Sequence, residues 1–187
     1  MKKTLLSLSL IMALGVAGAK ECKGVDFPEH TLVNGRSLAL NGLGLRLATV
    51  FKVKVYVAAL YVPMPSSDAA SILGTDTAKQ MVLHFVRSVG VDDLRKGWTE
   101  GFEKNAKGVL PALKDRIATF NGWMSDMKTG QRVILTYTPG AGVEVNVNGA
   151  ARGSIQGDDF ARALFAIWLG EPPNPEVKQG LLGGACG

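Results

Sequence analysis

Hydrophobic and polar residues alternate most regularly between Phe51 and Val62. In an extended strand, successive side chains point to opposite sides. One side of this segment is apolar and consists of Phe51, Val53, Val55, Val57, Ala59 and Tyr61. The other side begins with cations and ends apolar, in the order Lys52, Lys54, Tyr56, Ala58, Leu60 and Val62. If the strand extends back to Arg46, the guanidinium shares this second side. The pattern therefore predicts one strand from Arg46 to Val62, suited to an amphipathic ligand with an anionic or phenolic end.

The remaining periodicities predict a mixed chain in which groups of strands and helices follow one another. Strands are predicted at 30–33 and 36–40, around an Asn34-Gly35 turn, and at 79–89, 132–138, 143–147 and 151–155. The segment 79–89 is apolar on both sides, which indicates an interior strand. Helices are predicted at 67–73, 91–105, 110–124, 159–169 and 175–182. This order is typical of an α+β fold, in which helices cover one face of an antiparallel sheet.

The N-terminus has the features of a secretory signal peptide. Two lysines precede an apolar run over 5–16, and Ala17-Gly18-Ala19 is a small-residue cleavage site. The run is too short for a membrane anchor, and no later stretch reaches the ~20 apolar residues that a spanning helix requires. We therefore expect a signal peptide at 1–19, cleaved near Ala19. The mature protein is expected to be a single domain at 20–187, in the periplasm or secreted, without a membrane span.

The charge of the chain argues against a nucleic-acid partner. The formal net charge is +5, and cleavage would remove Lys2 and Lys3 and lower it to +3. The remaining basic residues are scattered and are not interleaved with aromatic side chains, which is typical of a mildly basic solvated surface. We expect no binding of nucleic acid and, by default, a monomer.

The two cysteines, Cys22 and Cys186, lie at opposite ends of the mature chain. In an oxidising compartment this arrangement favours a disulfide that joins the termini, the alternative being two free thiols. Two cysteines without neighbouring histidines cannot complete a zinc shell. The chain also lacks a dinucleotide fingerprint, a P-loop and a nucleophile elbow. We expect neither a metal nor a cofactor.

Four segments together resemble the chalcone isomerase-like superfamily, especially its bacterial exported branch. They are GLGLR followed by KVYVAALY, then VDDLRKGWTEGFEKN, TGQRVILTYTPGAGVEVNVNG and GDDFARALFAIWLGEPPNPEVKQGLLG, in this order over about 27–183. The resemblance implies a chalcone isomerase-like open-faced β-sandwich, a large antiparallel sheet covered by a helical layer with a ligand between them. This fold serves plant flavonoid enzymes and also non-catalytic fatty-acid-binding proteins.

The resemblance assigns Arg46 and Tyr56 to the ligand. Arg46 corresponds to the arginine that meets a phenolate in the plant isomerases and a carboxylate in the fatty-acid binders, and a guanidinium suits both. Tyr56 corresponds to a threonine in the plant enzymes and a tyrosine in the binders, where its hydroxyl would donate a second hydrogen bond. The plainer alternatives are an Arg46 that pairs with an acid or caps a turn, and a Tyr56 whose hydroxyl lies at the rim of the sheet.

The helix at 91–105 departs from the isomerase pattern. Where the plant enzymes place a tyrosine, a lysine and an asparagine, the approximate counterparts here are Leu94, Gly97 and Gly101, with Trp98 among them. The absence of a tyrosine from this helix argues against an isomerase. Glycines spaced by four form a groove, used either for close packing or as space for an acyl chain.

Two residues of the helix at 159–169 fall where the last pocket residues of the family lie. They are Ile167 and Trp168, and their apolar stripe is equally typical of core positions, above all for Ile167.

Three functions are compatible with these observations. The first is periplasmic binding of a fatty acid or a similar amphipathic carboxylate between sheet and helices, with Arg46, Tyr56, Leu94, Trp98, Ile167 and Trp168 at the ligand. The second is a cofactor-free intramolecular lyase in which Arg46 positions a phenolate for chalcone isomerase-type ring closure, a reaction that needs only positioning and electrostatics. The third is a structural envelope protein with a vestigial pocket.

Overall fold

The computed structural model describes residues 18–187, so the predicted signal peptide lies outside the described residues except for its last two positions. The strands are β1 (Ala19–Cys22), β2 (Val25–Pro28), β3 (His30–Val33), β4 (Arg36–Ala48), β5 (Val53–Val62), β6 (Lys79–Phe85), β7 (Arg132–Thr138), β8 (Gly142–Val147) and β9 (Ala150–Ile155). The helices are α1 (Ala69–Gly74), α2 (Val91–Asn105), α3 (Leu110–Gly122), α4 (Asp158–Leu169) and α5 (Pro175–Leu181). No helix within residues 18–187 is both long and apolar enough to cross a membrane.

The main sheet has seven strands in the order β3-β4-β5-β6-β7-β8-β9, and every pairing is antiparallel. Strands that follow one another in the chain are therefore neighbours in the sheet, with α1 inserted before β6 and α2 and α3 inserted before β7. The predicted α+β class, an antiparallel sheet covered by helices, is confirmed.

Both faces of the sheet are buried, but by different parts of the chain. On β5, Tyr56, Ala58 and Leu60 belong to the core beneath the helices. The residues that alternate with them, Val57, Ala59 and Tyr61, pack on the opposite face with Phe27 of the β1–β2 hairpin. The prediction that β6 is interior is confirmed in the same way, because Met81, Leu83 and Phe85 face the helical core and Val82 faces the other.

The predicted single strand from Arg46 to Val62 is wrong. The chain turns at 49–52, so Arg46 lies on β4 and Tyr56 on the neighbouring β5. Phe51, the first residue of the predicted apolar side, is 86% exposed at the turn. The turn escapes detection because Thr49 and Lys52 occupy left-handed backbone conformations, with φ values of 61° and 50°, that glycine, asparagine or aspartate usually adopt.

Helix α4 is more deeply buried than the predicted apolar stripe requires. In α4, every residue from Ala163 to Leu169 is buried, because α4 packs against the sheet, α1 and α2.

The short hairpin of β1 and β2 was not predicted. It covers the outer face of the sheet, and β1 contacts β4.

The predicted disulfide between Cys22 and Cys186 is present, with 6.0 Å between the Cα atoms. It joins the end of β1 to the segment that follows α5. Cys22 is buried in the outer core, so the bond lies on the face of the sheet opposite the large helical core.

Candidate functional site

A cavity of about 440 Å³ opens between one end of the sheet and helix α2. Its wall is formed by the end of β4, the start of β5, the segment after β6, one face of α2 and the end of α4 with the residues that follow. Five of the six predicted ligand residues line it, namely Arg46, Tyr56, Leu94, Trp98 and Ile167. The structure thus brings together residues from four separate elements.

A β-bulge places Tyr56 beside Arg46 at this cavity. Arg46 pairs with Tyr56 across the β4–β5 ladder, but the next pair is Leu47 with Lys54, so Val55 is an extra residue on β5. A bulge of this kind bends the strand and redirects its side chains. Val55 and Tyr56 both line the cavity as a result. The guanidinium and the phenol therefore meet through strand pairing.

Arg46 is half-buried and forms no ion pair with an acid of the described residues. Within residues 18–187, no carboxylate oxygen lies within 4.0 Å of its guanidinium. One nitrogen, Nη1, donates a hydrogen bond to the Leu47 carbonyl. A guanidinium has five N–H donors, so this backbone contact leaves most of them available to an anion in the cavity.

The Tyr56 hydroxyl is prepared to donate a hydrogen bond. Burial raises the pKa of Tyr56, against smaller lowering effects from the Trp168 hydrogen bond and the Arg46 charge, so the phenol is protonated at neutral pH. Its oxygen accepts a hydrogen bond from Trp168 Nε1 at 2.9 Å. No group of residues 18–187 accepts the proton of Tyr56 in return. This proton is therefore free for a ligand.

Trp168 itself is not on the cavity wall. It is fully buried behind Tyr56, and its ring packs edge-on against Trp98 with 5.4 Å between the centroids. The structure therefore places this predicted ligand residue one layer away, where it orients the Tyr56 hydroxyl and supports Trp98.

The two glycines of α2 differ in their surroundings. One leaves space in the cavity and the other allows close helix packing. A Cβ atom on Gly97 would meet nothing within 4 Å, so this position opens the helix surface to the cavity. A Cβ atom on Gly101 would lie 2.7 Å from Cγ2 of Ile167, so this position allows α2 and α4 to pack closely. One glycine provides space and the other provides contact.

Sequence reasoning missed five charged residues on the cavity wall, namely Arg87, Asp93, Glu100, Lys104 and Glu171. The signal for Lys104 was present, because residues 97, 101 and 104 share one face of a helix. Conversely, Lys52 and Lys54 do not line the cavity, and Lys52 pairs with Glu176 at 3.5 Å. The predicted cationic gradient along a single strand is therefore wrong, and the cations at the site come from different elements.

Neither a histidine nor a metal-binding cluster of the described residues lies at the cavity. His84 lies on β6 outside it, where its Nδ1 accepts a hydrogen bond from Arg132 Nε at 2.9 Å. Burial and the Arg132 charge both lower the pKa of this imidazole. Across residues 18–187, no group of three or more His, Cys, Asp or Glu side chains is arranged to hold a metal ion. The site offers the Arg46 guanidinium, the Tyr56 phenolic donor and apolar walls, with charged residues of both signs around them.

Sequence and structure comparisons agree with this architecture. A family model described as chalcone isomerase-like matches residues 19–183, and the chain belongs to this family. Among solved structures, a fatty-acid binding protein of Arabidopsis thaliana is similar, with a TM-score of 0.68 and 18% sequence identity over 88% of this chain and 96% of that chain. At this identity the likeness shows the shared fold. No curated protein sequence matches the chain.

The substitution Tyr56→Phe is expected to destabilise the protein by about 1–3 kcal/mol in the absence of any ligand, because it leaves the buried Trp168 N–H without an acceptor. Equilibrium urea unfolding measures this loss. The variant Trp168→Phe and the double variant complete a mutant cycle. A coupling energy near zero between the two positions would contradict the assigned hydrogen bond.

Proposed function

We propose that the protein binds a fatty acid or a similar amphipathic carboxylate in the cavity between sheet and helices. The observation that carries this proposal is the pair formed by Arg46, a guanidinium without an ion-pair partner among residues 18–187, and Tyr56, a protonated buried phenol. Both lie at the wall of a cavity with apolar sides. No cofactor takes part in this function.

The chemistry of the pair suits a carboxylate. The planar fork of a guanidinium can hold both oxygens of a carboxylate, and hydrogen bonds between ionised partners are about twice as strong as neutral ones. The Tyr56 hydroxyl adds a donor that stays protonated across the physiological pH range. A carboxylate bound here would accept from both residues and compensate the charge of Arg46.

The apolar part of the ligand would lie along α2. Val55, Leu94, Trp98 and Ile167 supply apolar walls, and Gly97 leaves the helix surface open. Sites for small ligands commonly enclose about 300–1,000 Å³ with mostly apolar linings, and the cavity volume of about 440 Å³ falls in this range. The described function of the Arabidopsis relative, fatty-acid binding, supports the same ligand class for this chain.

The lyase alternative has weaker support from the same cavity. Arg46 could also meet a phenolate, but α2 presents Leu94, Gly97 and Gly101 to the cavity and offers no tyrosine near them. Ring closure on this scaffold would have to proceed without the polar residues that the plant enzymes carry on this helix.

Export of the protein is the second part of the proposal. The signal-peptide pattern before Ala19 and the disulfide support a periplasmic or secreted location. Cleavage after Ala19 would remove the first residue of β1. The pairs of Lys20 with Phe27 and of Cys22 with Val25 would remain in the mature chain.

Native mass spectrometry of the protein purified from the exported fraction tests the ligand. We expect a bound mass that organic extraction identifies as a fatty acid, or a one-to-one complex after addition of a saturated fatty acid. A protein that carries no lipid and forms no such complex would contradict the proposal. Turnover of a hydroxychalcone by that protein would then favour the lyase.

Replacement of Gly97 by leucine is expected to weaken fatty-acid binding at least about tenfold while the fold is retained. The new side chain enters the open space of the cavity, and leucine is favoured over glycine in a helix by nearly 1 kcal/mol. Gly97→Ala is the matched control. It should be about as stable as Gly97→Leu and should bind the fatty acid nearly as well as the unmodified protein. Isothermal titration calorimetry measures the affinities, and an unchanged affinity in Gly97→Leu would place the acyl chain elsewhere.

A further inference from the structure

The tip of the β4–β5 hairpin exposes two neighbouring apolar side chains. Val50 is 90% exposed and Phe51 is 86% exposed, more than any other large hydrophobic residue within 18–187. Single exposed apolar residues are common on protein surfaces. An adjacent aliphatic and aromatic pair at the point of a hairpin is different, because it forms a compact apolar projection that no other part of the described chain covers.

The backbone of the turn holds this pair in a defined conformation. Thr49 and Lys52 flank it with φ values of 61° and 50°, and the Lys52 N–H donates to the Thr49 carbonyl at 3.2 Å. A β-branched residue in the left-handed region is unusual, and such backbone strain is concentrated at functional positions. The turn thus has Thr49 and Lys52 at positions where glycine or asparagine would be favoured.

The two strands that lead into the projection carry cations and no acidic residue. Between Glu29 and Asp68 the chain contains four basic residues and no acidic residue. Three of the four, Arg46, Lys52 and Lys54, lie at the hairpin's end. Lys52 pairs with Glu176, but Lys54 is exposed and forms no ion pair within residues 18–187. Arg87, exposed on the cavity wall, adds a further cation.

We propose that this tip docks the protein onto an anionic lipid bilayer, with Val50 and Phe51 inserted among the lipids and Lys54 and Arg87 near the phosphates. Apolar residues with flanking cations are the usual elements of interfacial membrane binding. A stable protein partner would need about 800 Å² of buried surface on each side. Two side chains on a convex turn bury a far smaller area, whereas an apolar tip of this size can insert into a bilayer.

The position of the tip relative to the cavity gives the docking a consequence. Ala48 and Thr49, which lead into the turn, line the cavity wall. A bilayer in contact with Val50 and Phe51 would therefore lie beside the cavity. If the proposed function holds, an amphipathic ligand could pass between the bilayer and the cavity over a short path; the docking itself does not depend on that function.

Flotation with vesicles tests the proposal, using the full mature protein and vesicles of phosphatidylcholine and phosphatidylglycerol in equal amounts. The variant Val50→Ser/Phe51→Ser is expected to lose at least about tenfold in partitioning. Met64→Ser is the matched control, because Met64 is 80% exposed beyond the opposite end of β5. It should change partitioning by less than about twofold. Lys54→Glu should lower it at least about fivefold, and added salt should weaken binding of the unmodified protein.

Three outcomes would overturn the docking. They are equal partitioning of the tip variant and the unmodified protein, an equal loss in Met64→Ser, and a dimer in lipid-free solution that dissociates in the tip variant. The last would assign the tip to a second copy of this chain. Fatty-acid complexes measured in parallel by native mass spectrometry keep the two proposals apart, because the tip variant should still form them.

Discussion

Replacement of Arg46 by alanine is expected to weaken binding of a fatty-acid carboxylate about tenfold to one-hundredfold. Hydrogen bonds to charged groups contribute about 1.5–3 kcal/mol, and each ~1.4 kcal/mol corresponds to a factor of ten in the dissociation constant. In the folded protein no acid of residues 18–187 pairs with this guanidinium, so the charge is available to the ligand. Isothermal titration calorimetry with one saturated fatty acid measures the change.

Matched ligands and variants separate this loss from indirect effects. The methyl ester of the same fatty acid should bind the Arg46→Ala variant and the unmodified protein with similar affinity, because its head group carries no charge. Arg36→Ala removes a cation from the opposite end of β4 and should leave affinity unchanged. Arg46→Lys should bind with intermediate affinity, because an ammonium keeps the charge and loses the planar fork.

Unchanged affinity in Arg46→Ala would remove this residue from the site. Since Arg46 Nη1 also donates to the Leu47 carbonyl, urea unfolding of the variant has to accompany the titration. A loss of affinity that occurs equally for the acid and its methyl ester would indicate a disturbed cavity rather than a lost charge contact.

Replacement of both Cys22 and Cys186 by alanine is expected to lower the free energy of unfolding by about 2–5 kcal/mol. The two residues are 164 positions apart in the chain, so their disulfide restricts the unfolded chain over nearly its whole length. It also holds the β1–β2 hairpin to the end of the chain, and Cys22 is only 3% exposed. Equilibrium urea unfolding of the oxidised protein and the double variant measures the difference.

The unmodified protein in reductant is the control, and its stability should approach that of the double variant. Ligand affinity should change little, because both cysteines pack with the outer core and the cavity lies against the helical face. Equal stability of the oxidised protein and the double variant would show that the tails dock without the disulfide.

Elements with strong periodicity were predictable because their own residues define them. The stripe of Leu94, Trp98 and Phe102 predicts a helix at 91–105, and α2 has these bounds with the same three residues buried. The two apolar sides of β6 likewise predict an interior strand. In both cases burial follows from spacing along one continuous segment, which needs no knowledge of distant contacts.

Features that depend on pairing between segments were not predictable in this way. Thr49, Val50 and Phe51 at the turn between β4 and β5 are residues typical of strands, so no glycine or proline marks the turn in the sequence. The strands of the β1–β2 hairpin are only four residues long, and the hairpin is stabilised by packing on the outer face of the sheet and by the disulfide. The hydrogen bond from Trp168 to Tyr56 joins residues 112 positions apart.

For the candidate site, local residue order together with the family resemblance was sufficient to single out Arg46 and Tyr56. The antiparallel register and the bulge at Val55 decided that they meet across two strands, and helix packing decided that Gly97 opens the cavity while Gly101 closes onto Ile167. The physical reason is that periodicity records which side of an element is apolar. Register, bulges and close helix contacts are set by the sum of many weak interactions between elements. They therefore cannot be derived from the sequence of one segment.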